Sequence, residues 1–192
     1  MTKERALRSG VEEKELIERA RAGDRLAMGS LYEAHARRVF TVVRRLVGDE
    51  HLAEDLSQEA WVRAFEKLHL FRGEAAFGTW IYRLATNVAL NRLRRSAKRT
   101  DVEAAAEMPT IVAAPDEAVV SRRVLAAAMD RLPPGYRQVL VLHDLEGWTH
   151  DEIAESLSCS PGTSKSQLHK ARARMRQMIA PPARSEEARS EL

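Results

Sequence analysis

Cysteine occurs once in the 192 residues, as Cys159, so the chain cannot close an internal disulfide, a usage that suits a reducing cytosol. Aromatic residues supply only 5% of the sequence. The apolar runs fall far short of the roughly 20 residues that cross a bilayer, so no membrane insertion is expected. The segment MTKERALRSG lacks the apolar centre of a secretory signal, which places the chain in the cytoplasm as an expectation. The six histidines are scattered without ligand spacing, and no phosphate-cradling glycine loop or nucleophile with a paired base can be assembled. No metal, no cofactor and no enzymatic activity are expected, and Cys159 reads as a structural thiol. The absence of a repeat period sets solenoid folds aside.

What the sequence does hold is helix-forming residues: Ala, Leu, Arg and Glu dominate it. A hydrophobic content of 44% suits a folded protein, and the length accommodates two small domains with modest cores. From Val11 to about Lys98 amphipathic helices follow one another with breaks at Gly23, Gly48 and Phe71 to Gly73. Leu52, Leu56, Ala60, Ala64, Phe65 and Leu68 recur at helical spacing, as do Phe77, Ile81, Leu84 and Val88. TDVEAAAEMPTIVAAP, Thr100 to Pro115, changes composition and reads as a linker. Helices resume over Asp116 to Arg131, break at Leu132-Pro133-Pro134-Gly135 and continue from Tyr136 to Leu145. The tail after Ala180 reads as disordered. The expected fold class is all-α: helical domains over 11–99 and 116–180, joined by a flexible linker over 100–115, with a tail over 181–192.

The net charge of +3 and a pI near 9.2 conceal a segregated distribution. Arg92, Arg94, Arg95, Lys98 and Arg99 form one basic cluster; Lys165, Lys170, Arg172, Arg174 and Arg176 form another. Asp144, Glu146, Asp151, Glu152 and Glu155 make an acidic stretch between them. Segregated basic helices are the electrostatic footprint of a nucleic-acid binder, though a solvated helix face gives the same pattern.

Thr149-His-Asp-Glu152 has the form of a capping box, and the helix it starts carries Ile153, Ala154 and Leu157 on one face. Ser160-Pro161 is a second start signal, a capping hydroxyl followed by a proline at the first helical position. Two helices about three residues apart, the second polar and basic at its start, describe a helix-turn-helix that reads duplex DNA. Thr163, Ser164, Lys165, Ser166 and Gln167 are its candidate contacts to bases or phosphates, with His169, Lys170 and Arg172 further along. Leu168, Ala171 and Met175 belong to the core.

In the first domain Trp80, Asn87 and Asn91 fall near one line of a helix, flanked by Arg83 and Arg94. Amides offer a donor and an acceptor to a base edge and an aromatic ring offers a stacking face, so this line is a candidate site for an unpaired base. The loop from Phe71 through Arg72 to Phe77 stands ready to close a pocket around it. Trp61, Trp80, Tyr82 and the phenylalanines at helical spacing are more often core, and that is the stronger reading of them here. Glu54, Asp55, Gln58, Glu59 and Val62 share an outward face whose acidity repels DNA and suits a basic protein partner.

Three blocks then carry a resemblance over Glu15 to Ile179: AEDLSQEAWVRAFEKL, FRGEAAFGTWIYRLATNVALNRLRR and LPPGYRQVLVLHDLEGWTHDEIAESLSCSPGTSKSQLHKARARMR. The chain resembles the extracytoplasmic-function group of the sigma-70 family of bacterial RNA polymerase subunits. The resemblance implies a first domain, region two, that binds core polymerase and the melted minus-ten strand, and a second, region four, that reads the minus-thirty-five duplex. It implies Asp55, Gln58 and Glu59 facing the coiled coil of the large catalytic subunit, and Asn87 and Asn91 with the Phe71 to Phe77 loop on the unpaired strand. Lys165, Ser166, Gln167, His169 and Lys170 would face the upstream duplex, and an anti-sigma partner is implied. Ser164, Lys165 and Gln167 stand where members commonly carry Val, Arg and Arg, and lysine does not repeat the bidentate fork of arginine, so no promoter consensus is carried over. The alternative reading is a stand-alone helix-turn-helix regulator, which accounts for the second domain but not for the acidic stripe or the asparagine line of the first.

Overall fold

The computed structural model describes residues 3–97 and 117–179, and every element among them is helical. The chain divides into two compact units, on either side of residue 101. Lys98, Arg99, the linker over 100–115 and the tail over 181–192 lie outside the described residues.

The first unit comprises α1 (Lys3–Arg21), α2 (Arg25–Val47), α3 (Glu50–Glu66) and α4 (Phe77–Ala97), with a single 3-10 turn at Leu68–Leu70. The breaks fall where the sequence places them, although α1 begins ahead of Val11. Asp24 ends the first break by accepting from the amides of Leu26 and Ala27 at 2.8 and 3.2 Å, and Asp49 does the same for α3 through Leu52 at 2.7 Å. Gly48 closes α2 in the left-handed conformation (φ 78°), which a side chain would disfavour. α2 lies against α1, α3 and α4. It contributes Leu31, Val39, Val42, Val43 and Leu46, which meet Leu56, Ala60 and Ala64 of α3 and Phe77, Ile81, Ala85 and Ala89 of α4 in the core. Burial of each large member contributes about 1.5 to 3 kcal/mol.

The loop that enters α4 is tied to the end of α1. The Arg21 guanidinium donates to the Leu68 carbonyl at 3.2 Å and to the Phe71 carbonyl. Further along, His35 of α2 bridges Glu13 of α1 and the Tyr82 hydroxyl of α4, each at 2.9 Å. Gly78 lets α4 approach this imidazole, because a Cβ there would sit 3.1 Å from the His35 ring.

The second unit holds α5 (Glu117–Asp130), α6 (Pro134–Leu140), α7 (His150–Leu157) and α8 (Pro161–Ile179). After α6 the helix widens into a π turn over Val141–Leu145, which ends as the Glu146 amide donates to the Val141 carbonyl at 3.0 Å. α8 packs on α5, α6 and α7, burying Leu168, Ala171, Met175 and Met178 against Val139, Leu142, Ile153 and Ala154. Leu168, Ala171 and Met175 are therefore core, as the periodicity predicts.

Candidate nucleic-acid and polymerase interfaces

In the first unit the α3 face predicted to point outward does so: Glu54, Asp55, Gln58 and Glu59 are exposed, and Val62 is 58% exposed. Beyond the end of this face lies a groove of about 330 Å³ between α3 and α4. Trp80, Arg83, Leu84, Asn87, Val88 and Asn91 line one wall, and Arg63 and Lys67 at the end of α3 the other. The predicted line of Trp80, Asn87 and Asn91 is thus one wall of a real concavity, with Asn87 and Asn91 exposed. Asn91 accepts a hydrogen bond from Arg94, which leaves the amide nitrogen of Asn91 pointing its donors elsewhere. Arg63 and Lys67 are additions to the predicted site. The signal for them is present in the sequence, as the continuation of the row Asp55, Glu59, Arg63, Lys67 at steps of four.

Two members of the predicted pocket do something else. Phe71 and Phe77 are buried, at 6% and 1% exposure, with their rings edge-to-face at 5.7 Å, so neither offers a face to a base. Apolar burial wins over exposure here because both rings also pack on Trp80, at 5.4 and 5.6 Å. Trp80 is half-buried and keeps an edge on the groove. Arg72, at the loop tip, is exposed and lies 4.0 Å from Glu74.

In the second unit both helix-start signals are realised. The Glu152 amide donates to the Thr149 hydroxyl at 3.2 Å while the Thr149 amide donates to the Glu152 carboxylate at 2.9 Å. The Thr163 amide donates to the Ser160 hydroxyl at 3.0 Å. Between them Ser158 takes a left-handed conformation (φ 53°), giving the sharp turn between α7 and α8, and Cys159 beside it is half-buried.

Along α8, Thr163, Lys165, Ser166, His169 and Lys170 are exposed. Thr163 shares its hydroxyl with Ser160 at 2.9 Å, which ties it to the cap. Ser164 corrects the expectation: it is fully buried, and its hydroxyl lies 2.9 Å from His150 Nδ1. It therefore seats the helix and cannot touch a base edge. Gln167 is half-buried, its amide lying beside Gly135 at the start of α6. Arg172 is also committed elsewhere, to Asp144 of the π turn at 2.9 and 2.5 Å, and Arg174 lies over the Tyr136 ring at 5.1 Å. Lys165, Ser166, His169 and Lys170 remain as the outward row of the helix.

The Asp144 carboxylate also lies 2.9 Å from Nδ1 of His143, and the His143 ring stacks on His150 at 4.5 Å. The Arg172 guanidinium holds the Asp144 carboxyl below its ordinary range, against the opposing effect of burial, with His143 adding to the lowering. Burial depresses the His150 imidazole, and positive charge on His143 and Lys165 depresses it further. Among the described residues, no cluster of His, Cys, Asp or Glu is placed to hold a metal ion, and no helix is long and apolar enough to cross a membrane.

The sequence pattern of Sigma-70 region 2 matches residues 31–99, and that of Sigma-70, region 4, matches residues 122–175. The ECF RNA polymerase sigma factor SigE of Mycolicibacterium smegmatis is 36% identical over 168 residues, a match covering 82% of this chain and 65% of that one. The RNA polymerase sigma-H factor of Pseudomonas aeruginosa is 30% identical over 183 residues, covering 88% of this chain and 95% of that relative. Among solved structures, the sigma factor RpoE of Bartonella quintana, in complex with the anti-sigma factor NepR, superposes with a TM-score of 0.53 at 19% identity. That match covers 79% of this chain and 95% of RpoE and shows a shared fold.

Proposed function

Since the chain belongs to the extracytoplasmic-function group of sigma-70 RNA polymerase initiation factors, we propose a division of labour among its surfaces that makes it a promoter-recognising subunit and not a catalyst. It works in the cytoplasm on core polymerase. Residues 11–99 act as region two: Asp55, Gln58 and Glu59 dock on the basic coiled coil of the large catalytic subunit. The groove walled by Trp80, Arg83, Asn87 and Asn91, with Arg94 behind Asn91 and Arg72 at the loop tip, takes the unpaired minus-ten strand. Phe71 and Phe77 support that wall from the core.

Residues 100–115 tether this unit to region four, residues 116–180, whose α8 enters the major groove of the minus-thirty-five duplex with Lys165, Ser166, His169 and Lys170 foremost. Thr163 and Ser164 set the entry of the helix, and Gln167 and Arg172 flank it. An anti-sigma factor is its expected regulator, as NepR is the partner of RpoE in the Bartonella structure.

One observation carries this reading: the acidic row of α3 runs on, through Arg63 and Lys67, into a groove whose other wall is arginine, asparagine and tryptophan of α4. A stand-alone regulator has no use for either. The test mixes the purified chain with sigma-free core polymerase, with Asp55→Arg plus Glu59→Arg as the control. A stable complex that the charge reversal abolishes is expected. Failure to bind core, with tight salt-sensitive duplex binding by the chain alone, would overturn the reading.

A further inference from the structure

The acidic face and the groove of the first unit are joined by one ion pair. Glu59 belongs to the face; Arg63, one turn on, lines the groove, and its guanidinium is bound to the Glu59 carboxylate. Both side chains are close to half-exposed, 42% for Arg63 and 44% for Glu59, so each is open to a competing partner. Lys67, one further turn along, lines the same groove.

From this geometry we infer that Arg63 is a further nucleic-acid contact, restrained by Glu59 in the free chain and released to the groove when a basic protein surface occupies Glu59. The inference rests on the reading of the groove as the site of the unpaired strand. A guanidinium can satisfy a carboxylate or a phosphate with the same fork of donors, but not both fully at once. Glu59 faces the same choice between Arg63 and a cation of the partner. Docking of a basic surface on Glu59 therefore raises the positive charge available to the groove, while an acidic strand on Arg63 leaves Glu59 open to the partner. The two bindings favour each other, as linkage requires. Lys67 supplies a second positive charge that is present in either state.

The measurement is fluorescence anisotropy of a labelled single-stranded DNA oligonucleotide titrated with the full chain at several salt concentrations. Glu59→Gln, which frees Arg63 without a partner, tightens binding about two- to fivefold, the range that a half-exposed ion pair can hold back. It also steepens the dependence of log K on log salt by about 0.7, the value of one added phosphate contact on a single strand. Adding Arg63→Gln to Glu59→Gln removes both gains. Glu66→Gln removes the same charge from the same helix without freeing Arg63 and leaves the salt slope at its wild-type value.

Equal gains from Glu59→Gln and Glu66→Gln, or a gain that survives Arg63→Gln, would overturn the inference, since net charge alone would then explain it. Asn87→Ala separates the two levels of the argument. If it weakens binding while Glu59→Gln changes nothing, the groove reading stands and the restraint of Arg63 is refuted; if it has no effect, the groove reading fails and the inference with it.

Discussion

Asp144 accepts two hydrogen bonds from Arg172, from Nε at 2.9 Å and from Nη2 at 2.5 Å, across 28 residues of sequence. The pair ties the middle of α8 to the π turn ahead of α7, so the two helices that would straddle a DNA backbone are braced from outside the turn between them. Asp144→Asn is expected to cost about 0.5 to 1 kcal/mol, because Arg172 is 48% exposed and solvent screens the pair. Since pairing lowers the Asp144 pKa, its contribution is present above the ordinary carboxylate range and is lost as pH falls through the lowered folded value. Hydrogen exchange of the α8 amides at neutral and acidic pH checks both points. An unchanged α8 in Asp144→Asn would show that the brace is idle.

His150 has the opposite chemistry and the same acid sensitivity. Its imidazole is held below the ordinary value of 6.5, first by burial and then by His143 and Lys165, with Arg172 adding a little and Asp151 opposing. The fold therefore favours the neutral ring, whose Nδ1 is hydrogen-bonded to the Ser164 hydroxyl at 2.9 Å. That preference contributes fully above the ordinary value and is lost as pH falls through it towards the folded value. Unfolding of the second unit should become easier as pH drops below about 6.5, and His150→Gln should flatten that segment of the profile. A His150 resonance titrating at or above the ordinary value in NMR would contradict the assignment.

The helix starts, the breaks and the core stripes are legible in the sequence because each depends on residues within one turn of one another. Gly48, Asp49, Thr149, Glu152 and Ser160 act through local backbone hydrogen bonds, and sequence spacing shows these directly. What escapes the sequence depends on how side chains pack or on partners beyond the neighbouring turn. Phe71 and Phe77 have the chemistry to stack on a base, but their packing on Trp80 places them in the core. Ser164 has the chemistry of a residue that reads DNA, but His150, 14 residues earlier, claims its hydroxyl. The same holds for Arg172 and Asp144. Arg63 and Lys67 are a different case: their row at steps of four is visible, but nothing local says that it runs into a groove.

The reciprocal cap at Thr149 gives a cleaner test of local energetics. Thr149→Ala removes the hydroxyl that accepts the Glu152 amide and is expected to cost about 1 kcal/mol. Thr149→Ser keeps that oxygen and should recover most of the stability. Urea unfolding of the full chain, followed at the α7 and α8 amides, reads the difference; equal destabilisation by both variants would mean that packing of the threonine methyl, and not the cap, holds the start of α7.

On the proposed reading, charges on the outward row of α8 would touch phosphate, and these can be told apart from charges that hold the helix. Lys165 and Lys170 are exposed and carry their charge outward, whereas the Arg172 guanidinium is bound to Asp144. In polymerase holoenzyme bound to upstream duplex, Lys165→Ala and Lys170→Ala should each weaken binding, and removing one lysine from its phosphate should reduce the salt slope by about 0.9. Arg172→Ala should weaken binding too, but with little change of slope, because the charge it removes is already neutralised by Asp144 and the weakening arises from a loosened helix. The double variant Asp144→Asn plus Arg172→Ala should then be no worse than Arg172→Ala alone, since both changes cut one interaction. If Arg172→Ala instead lowers the slope as much as Lys165→Ala, Arg172 leaves Asp144 for the DNA on binding, and the brace between α8 and the π turn exists only in the free chain.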